Sequence, residues 1–443
     1  MAAGQPRLGT ARPVEPSASV GAGGEAAGAG STSFVSNMKL PVHRWYRYSA
    51  GYSATWARDE IVAAKGRFPQ GVRVLDPFAG SGTTLLAADE AGVPSFGFEA
   101  QPFAFRVCEA KLAWDAPAEP FSRHLGSVLQ AAKADAEPVV STPLLDKCFV
   151  PEVARQLQSL ARAVDAEQTD EPTRRLLWLA LVAIIRRCSH AGTAPWQYVL
   201  PAKTKAKVVT QVFAEYEAQA RTMLQDMRAF AAAGAKRGSA VLPFDARSVP
   251  EGHGVHDINL VVTSPPYANN YDYGDATRLE LTLLGDVAGW GDLKRYRERL
   301  VVSCSQHAAY LDEKARHLLG KPLLAPIRAD LEAACGELGK LRETRGGKKQ
   351  YDDMVASYFH GMAEHWRELR RLLAPGAELC YAVGDSAPYG VPIPTDEWLT
   401  RLAEPFGFAF DRFDKVRDRN VKWKNRKHRV PLNEGRLWLT FQP

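Results

Sequence analysis

An acidic residue and a glycine-rich turn stand together early in the chain. In "VLDPFAGSGTTLL", Asp76 ends a short apolar run, and Gly80 and Gly82 precede a helix-like stretch. Glycine lets the backbone adopt positive φ, and a helix start leaves N–H groups unpaired. A phosphate-binding P-loop would have lysine where Thr83 stands. Because the Asp76 carboxylate would repel phosphate and attract an ammonium group, we expect a cationic or zwitterionic ligand.

A second carboxylate, Glu99, ends the next short apolar run. At the end of a second strand, a carboxylate suits the two hydroxyls of a ribose. An amino-acid group at the first turn and a nucleoside at the second describe S-adenosylmethionine, which is the cofactor we expect. Pro77, Phe78 and Thr83 belong to the same predicted cofactor site.

These turns need a parallel sheet to bring them together. Residues 72–112 alternate between short apolar runs and helix-like stretches, which predicts a β-α-β-α unit. The alternation resumes near residue 240, and 259–263 is a strong strand. The expected fold class is therefore α/β, a Rossmann-like sheet with helices on both faces and a mainly helical insertion.

The strong strand ends in a second motif. Ser264, Pro265, Pro266 and Tyr267 directly follow the apolar run 261–263. Two consecutive prolines stop a helix and remove two backbone donors. The sequence therefore predicts a rigid, aromatic turn at the carboxyl edge of the sheet, where α/β proteins bind ligands.

Residues 76–84 and 263–267 together resemble the two signature motifs of the amino-group DNA methyltransferases, which methylate cytosine N4 or adenine N6. The resemblance covers residues 43–112 and 240–441. It implies a Rossmann-like methyltransferase fold, S-adenosylmethionine as cofactor and double-stranded DNA as substrate. It also allows a cognate restriction endonuclease as a partner.

The resemblance implies a role for each residue of the second motif. In the family, Ser264 Oγ and the Pro265 carbonyl would accept hydrogen bonds from the amine and so localise its lone pair. Pro266 would stiffen the turn, and Tyr267 would stack on a base flipped out of the duplex. Serine at the first position usually accompanies cytosine N4, whereas Asp or Asn accompanies adenine. We therefore expect N4-cytosine methylation, with N6-adenine as the alternative.

Other functions stay open at this point. An RNA methyltransferase and a catalytically silent DNA-binding relative are the two further alternatives. Intact Asp76, Gly80, Gly82, Ser264 and Tyr267 argue against the silent relative. C5-cytosine methylation is excluded because none of the six cysteines follows a proline.

The resemblance also extends to weaker features. Tyr52 and Ser53 would cover the methionine end of the cofactor, and Asp245 would bond its adenine amine. Residues 411–430 contain nine Lys or Arg and three Asp, which suits phosphate contacts. The predicted DNA-binding residues in this stretch are Arg417, Arg419, Lys422, Trp423, Lys424, Arg426 and Lys427.

The chain divides at changes of composition. Residues 1–37 form an Ala/Gly-rich tail that we expect to be disordered. The methyltransferase domain would comprise 38–114 and 240–443. Residues 115–239 are a helical insertion and the first candidate for target recognition. A second, basic insertion at 285–350 would lie within the catalytic domain.

The overall composition bears on the cell compartment that we expect for the protein and on whether it has a metal site. The net charge of +6 permits a polyanionic partner. Six scattered cysteines without a CxxC pair argue against a metal site or disulfides and fit a reducing cytoplasm. No apolar run reaches the roughly 18 residues that a membrane span needs. We expect a cytoplasmic protein, nucleoid-associated when bound to DNA.

Overall fold

One twisted sheet organises the molecule. The computed structural model describes residues 34–48, 50–191, 208–311, 314–345, 349–419 and 430–443. The strands of the sheet are β1 Val74–Asp76, β2 Ser95–Phe98, β3 Ser239–Leu242, β4 Ile258–Thr263, β5 Leu373–Gly384, β6 Phe408–Asp418 and β7 Asn433–Phe441. Their spatial order is β3-β2-β1-β4-β5-β7-β6. Strand β7 is antiparallel to both neighbours, and the other pairings are parallel. The predicted Rossmann-like α/β class is confirmed.

Helices surround the sheet and fill the two predicted insertions. The α-helices of the described ranges are α1 Ala54–Arg67, α2 Thr83–Ala91, α3 Pro102–Lys111, α4 Ala118–Ala134, α5 Pro143–Cys148, α6 Pro151–Ala166, α7 Glu171–Cys188, α8 Val212–Ala232, α9 Arg278–Leu283, α10 Lys294–Arg297, α11 Ser305–Ala309, α12 Ala315–Leu318, α13 Arg328–Thr344, α14 Tyr351–Leu369 and α15 Thr395–Ala403. Short 3-10 helices span Phe34–Lys39, His43–Trp45, Asp275–Thr277, Gly291–Leu293, Pro322–Ile327, Pro388–Gly390 and Glu404–Phe406.

The central strands are buried on both faces. Successive strand residues point to opposite sides of a sheet. Val74 and Leu260 face a core that contains Trp56 of α1. Leu75 and Val261 face a different core that includes α14 and α15. Burial on both faces explains why these strands read as short, uninterrupted apolar runs.

Helices α4–α8 occupy the predicted helical insertion and share one core with α3. Residues 176–182 of α7 are all buried, so this apolar run is a core helix. Among the residues that the structure describes, no helix is both long and apolar enough to cross a membrane.

The N-terminal segment is more ordered than the sequence predicts. Asn37, within the predicted tail, is fully buried. Its side chain donates to the Tyr52 carbonyl at 2.8 Å and accepts from the Ala54 N–H at 2.9 Å. The packed part of the chain therefore begins before residue 38, and the predicted boundary is wrong. The sequence concealed this because the order depends on tertiary hydrogen bonds.

A buried carboxylate on α8 fixes the segment that follows. Asp226 accepts hydrogen bonds from the Val42 N–H at 3.2 Å and from Trp45 Nε1 at 3.0 Å. The Arg44 guanidinium adds contacts at 2.9 and 2.6 Å. The helical insertion thereby holds the chain that leads to Tyr48 and Tyr52 against the sheet.

A buried ion pair joins the insertion to the chain beyond the Ser-Pro-Pro-Tyr turn. Arg186 of α7 contacts Glu280 of α9 at 2.5 and 3.0 Å, and it donates to the Ala276 carbonyl at 2.6 Å. Glu280 has no solvent exposure. A buried carboxylate without its partner is costly, so this contact fixes α7 relative to residues 276–280.

Arg186→Gln should lower the free energy of unfolding by about 3 kcal/mol, because it leaves the Glu280 carboxylate buried without a cation. The control is Arg221→Gln on α8, which breaks an exposed pair with Glu217. That control should cost at most about 0.5 kcal/mol. Urea unfolding followed by circular dichroism measures both. Equal, small losses in the two variants would contradict a stabilising role for the buried pair.

Candidate active site

The Asp76 carboxylate lies beneath the site and joins its two turns. It is fully buried at the end of β1. Its Oδ1 accepts from Thr263 Oγ1 at 2.5 Å and from the Phe78 N–H at 3.1 Å, and Oδ2 accepts from the Tyr52 hydroxyl at 2.9 Å. Burial raises the pKa of Asp76, and these hydrogen bonds oppose that rise.

Asp76 has a structural role that the sequence did not predict. Asp76 is fully buried and does not line the cleft, and its contact with an ammonium group stays a prediction. In the structure it fixes the first turn to the end of β4. Because the strand-end position alone does not reveal how many local donors surround it, the sequence could not distinguish these two roles.

The glycine turn is tight for two physical reasons. Gly80 and Gly82 have φ of 53° and 85°, the left-handed region that favours glycine. A Cβ at Gly80 would lie 3.0 Å from the Tyr48 ring, and one at Gly82 would lie 2.8 Å from Cys108 Sγ. Gly82 is also the N-cap of α2. The backbone of this turn therefore packs closely under an aromatic ring and against α3.

Glu99 extends the turn to the end of β2. Its Oε2 accepts from the Gly80 N–H at 2.7 Å, and its Oε1 accepts from the Gln101 N–H at 2.8 Å. Burial is the largest influence on this carboxyl and raises its pKa to about 7, against the two hydrogen bonds. Each oxygen retains acceptor capacity toward the cleft, which Glu99 lines.

These groups surround a cleft of about 720 Å³ of open space. The predicted site residues that line it are Tyr52, Pro77, Phe78, Gly80, Thr83, Glu99, Asp245, Ser264 and Pro266. The other predicted site residues do not line it: Ser53, Asp76, Gly82, Pro265 and Tyr267. One continuous space thus contacts both motifs.

Ser53 has a structural role that the sequence did not predict. It is buried, and its Oγ accepts from the Trp56 N–H at 3.3 Å as the N-cap of α1. Tyr52, in contrast, reaches the cleft and contacts the hydroxyl of Thr84 with its own hydroxyl. Sequence adjacency could not separate these two side chains.

Asp245 lines the cleft but already has a cationic partner. Its carboxylate accepts from Arg247 Nε at 3.0 Å and from Arg247 Nη2 at 2.7 Å. Phe244 and Phe98 pack nearby with ring centroids 5.6 Å apart and give this end of the cleft an aromatic surface. The sequence did not reveal the ion pair.

The Ser-Pro-Pro-Tyr turn leaves β4 beside β5. Ser264 Oγ donates to the Ala382 carbonyl at 3.1 Å and is also hydrogen-bonded with the Tyr267 phenol, and it keeps acceptor capacity beside these contacts. Within the described part of the chain, no residue donates to the Pro265 carbonyl. Tyr267 is half-buried. Burial, and next the nearby Glu434 carboxylate, raise the pKa of its phenol to about 12.

Several lining residues were not predicted. Tyr48, Tyr273 and Arg299 all contact the cleft. Tyr273 follows Asp272, whose buried carboxylate accepts from the Gly274 N–H at 3.0 Å and pairs with Arg297 at 2.6 Å. The Asp-Tyr-Gly-Asp turn was a visible signal for an ordered loop, but its Arg297 partner is distant in sequence.

The predicted DNA-binding residues divide into three groups. Arg417 is about half exposed and pairs with Glu434 at 2.9 and 3.0 Å. The Arg419 side chain is only 13% exposed and points inward, so its predicted phosphate contact is not supported. The remaining residues lie outside the described part of the chain: Lys422, Trp423, Lys424, Arg426 and Lys427.

Comparison with known proteins finds methyltransferases among the relatives of this chain. No family model matches the chain. It is 26% identical over 412 residues to the Type II methyltransferase M.AvaI of a Nostoc species and of Anabaena variabilis, covering 86% of this chain and 82% of the relative. It is 25% identical over 424 residues to M.BsoBI of Geobacillus stearothermophilus, covering 85% and 80%. The homologues of this chain are thus Type II methyltransferases, S-adenosylmethionine-dependent enzymes of restriction-modification systems within the amino-group DNA methyltransferase family.

Proposed function

We propose that this protein is a site-specific DNA methyltransferase that modifies the exocyclic N4 amine of cytosine in duplex DNA. The observation that carries the proposal is the shared cleft. Glu99 and the glycine turn line one part of it, and Ser264 and Pro266 line another. Similarity to Type II methyltransferases over 86% of the chain supports the same reaction class.

The catalytic task is to make a poor nucleophile react. The lone pair of an aromatic amine is delocalised into its ring, and two N–H acceptors pull that nitrogen toward a tetrahedral geometry. Ser264 Oγ would be one acceptor, since its own proton is donated to Ala382. The Pro265 carbonyl would be the other. Their attachment to a rigid turn supplies orientation, which is a large part of catalysis in a transfer between bound groups.

The lining residues fit S-adenosylmethionine, which supplies the methyl group when it is bound. The half-buried Glu99 carboxyl has a raised pKa and would gain from two ribose hydroxyl donors. Phe244 and Phe98 offer an apolar surface to an adenine ring. Asp245 would accept from the adenine amine with capacity not used by Arg247.

Cytosine is proposed over adenine because of Ser264. In the family that the two motifs resemble, serine at this position usually accompanies cytosine N4, whereas Asp or Asn accompanies adenine. Tyr267 would stack on the flipped base. The helical insertion is proposed as the target-recognition region, since Arg186 links it to the chain just beyond this turn. A cognate restriction endonuclease would complete the system.

The function is tested by identifying the modified nucleoside. The protein is incubated with methyl-labelled S-adenosylmethionine and duplex DNA, single-stranded DNA or RNA, and the polymer is digested to nucleosides. N4-methylcytosine from duplex DNA is the expected product. N6-methyladenine alone would overturn the assignment to cytosine, whereas label only in RNA would overturn the DNA assignment. Cofactor binding without any labelled product would indicate a silent relative.

Ser264→Ala should lower kcat by about 100-fold, the size expected when one hydrogen-bonding partner of a reacting group is removed. The dissociation constant of S-adenosylmethionine should change little. Ser357→Ala is the control, because it removes a buried hydroxyl from α14 away from the cleft. Calorimetry and steady-state kinetics measure the two quantities. A parallel loss of binding and rate would argue against the acceptor role.

Cofactor affinity should fall with decreasing pH. The ribose hydroxyls need an ionised Glu99, whose pKa is about 7 in the free protein. Protonation should therefore weaken S-adenosylmethionine binding by about tenfold between pH 8 and pH 6. Glu99→Gln should bind more weakly at pH 8 and lose this dependence. Glu404→Gln, an exposed change outside the cleft, should keep it. Any titration of S-adenosylmethionine itself affects the wild type and both variants equally. Identical pH profiles for all three proteins would therefore show that Glu99 is not the group responsible for the pH dependence.

A further inference from the structure

Arg419 occupies an unusual position for a residue in a basic stretch. It follows β6 directly, and its backbone N–H donates to the Leu432 carbonyl at 2.8 Å across the hairpin. Its side chain is 13% exposed, whereas that of Arg417, two residues earlier, is 53% exposed. The Arg419 guanidinium is therefore directed into the protein.

Two contacts hold this guanidinium. Nη1 donates to the Asp385 carbonyl at 2.6 Å, and Nε lies 3.5 Å from the buried Glu434 carboxylate. Gly384 provides the space, since a Cβ there would lie 3.0 Å from Arg419 Cδ and Nη1. Arg419 is thus packed against the end of β5.

The carbonyl that receives Arg419 belongs to a well-fixed residue. The Asp385 carboxylate accepts from the Asn433 N–H at 3.0 Å and from the Thr395 N–H at 3.1 Å. These bonds connect β5, β7 and α15 around one side chain. A side chain anchored on rigid elements can orient a neighbour more accurately than one on a loop.

The neighbour of the guanidinium is the aromatic ring of the Ser-Pro-Pro-Tyr turn. Arg419 Cζ lies 5.1 Å from the centroid of the Tyr267 ring. A guanidinium over an aromatic face is attracted to its π electrons, more strongly where water is excluded. With the guanidinium over one face, the opposite face of Tyr267 is the one left for a base.

We propose that Arg419 is a positioning residue that holds the Tyr267 ring in the orientation needed to stack on the flipped base, and not a phosphate contact. This inference rests on the proposed function. To reach a phosphate, Arg419 would have to leave Asp385, Glu434 and Tyr267 together. It would thus act through Tyr267, and its removal should affect turnover more than DNA affinity.

The first test compares Arg419→Gln and Arg419→Lys with the wild-type protein. Arg419→Gln should reduce kcat by about tenfold, with KM for DNA changed less than threefold and cofactor binding unchanged. Arg419→Lys, which keeps the charge but not the planar group, should be intermediate. The control is Arg412→Gln on β6, the strand that precedes Arg419, which removes a similar guanidinium–ring contact at 4.3 Å from the Trp438 ring centroid. It should retain wild-type kcat.

A double-mutant cycle separates positioning from independent roles. If Arg419 acts through Tyr267, then adding Arg419→Gln to Tyr267→Ala should cause no further loss of kcat. Duplex DNA with a fluorescent cytosine analogue at the methylated position provides a second readout. Arg419→Gln should lower the signal of the stacked, extrahelical base at saturating protein. Multiplicative losses in the cycle would overturn the proposal.

Salt dependence distinguishes the phosphate alternative. Loss of one phosphate contact would reduce the slope of log affinity against log salt by about one and leave kcat unchanged at saturating DNA. That result would overturn the positioning role while the methyltransferase assignment stood. If the wild-type protein methylated no polynucleotide, the proposed function itself would fail, which is a distinguishable outcome.

Discussion

The whole site depends on one buried carboxylate between two parallel strands. Asp76 at the end of β1 and Thr263 at the end of β4 are joined at 2.5 Å, and Thr84 of α2 donates to the Val262 carbonyl at 2.9 Å. The glycine turn and the Ser-Pro-Pro-Tyr turn are therefore two ends of one rigid unit. The pairing of β1 with β4 sets the distance between the two turns, so neither turn can move far relative to the other.

Short sequence patterns were sufficient to predict those features that are determined by neighbouring residues in the chain. The sheet class, the glycine turn at Gly80 and Gly82 and the proline turn after β4 follow from short apolar runs and from backbone constraints. The roles of Ser53 and Asp76 could not be obtained this way. Both are decided by which donors surround a side chain after folding, and those donors come from other elements.

The number of basic residues in a stretch does not show how many of them are free of acidic partners. In residues 411–430 the sequence shows a strong excess of basic residues. In the described part of that stretch, however, Arg412 pairs with Asp414, Lys415 with Asp418 and Arg417 with Glu434. The first two of these pairs are exposed and contribute little stability. They do reduce the field that these residues present to a polyanion, so a count of lysines and arginines overstates it.

The Arg186–Glu280 pair limits how the helical insertion could be exchanged. A helical insertion between two halves of a catalytic domain invites exchange with the corresponding piece of a relative. Here the insertion supplies a cation to a carboxylate that the recipient keeps buried, and it also supplies Asp226 to the N-terminal segment. A grafted insertion would have to contain equivalents of Arg186 and Asp226. Otherwise Glu280 and the N-terminal segment that contacts Asp226 would have to be changed as well. The helices of the insertion and the sheet are therefore one packed unit whose paired residues would have to be changed together.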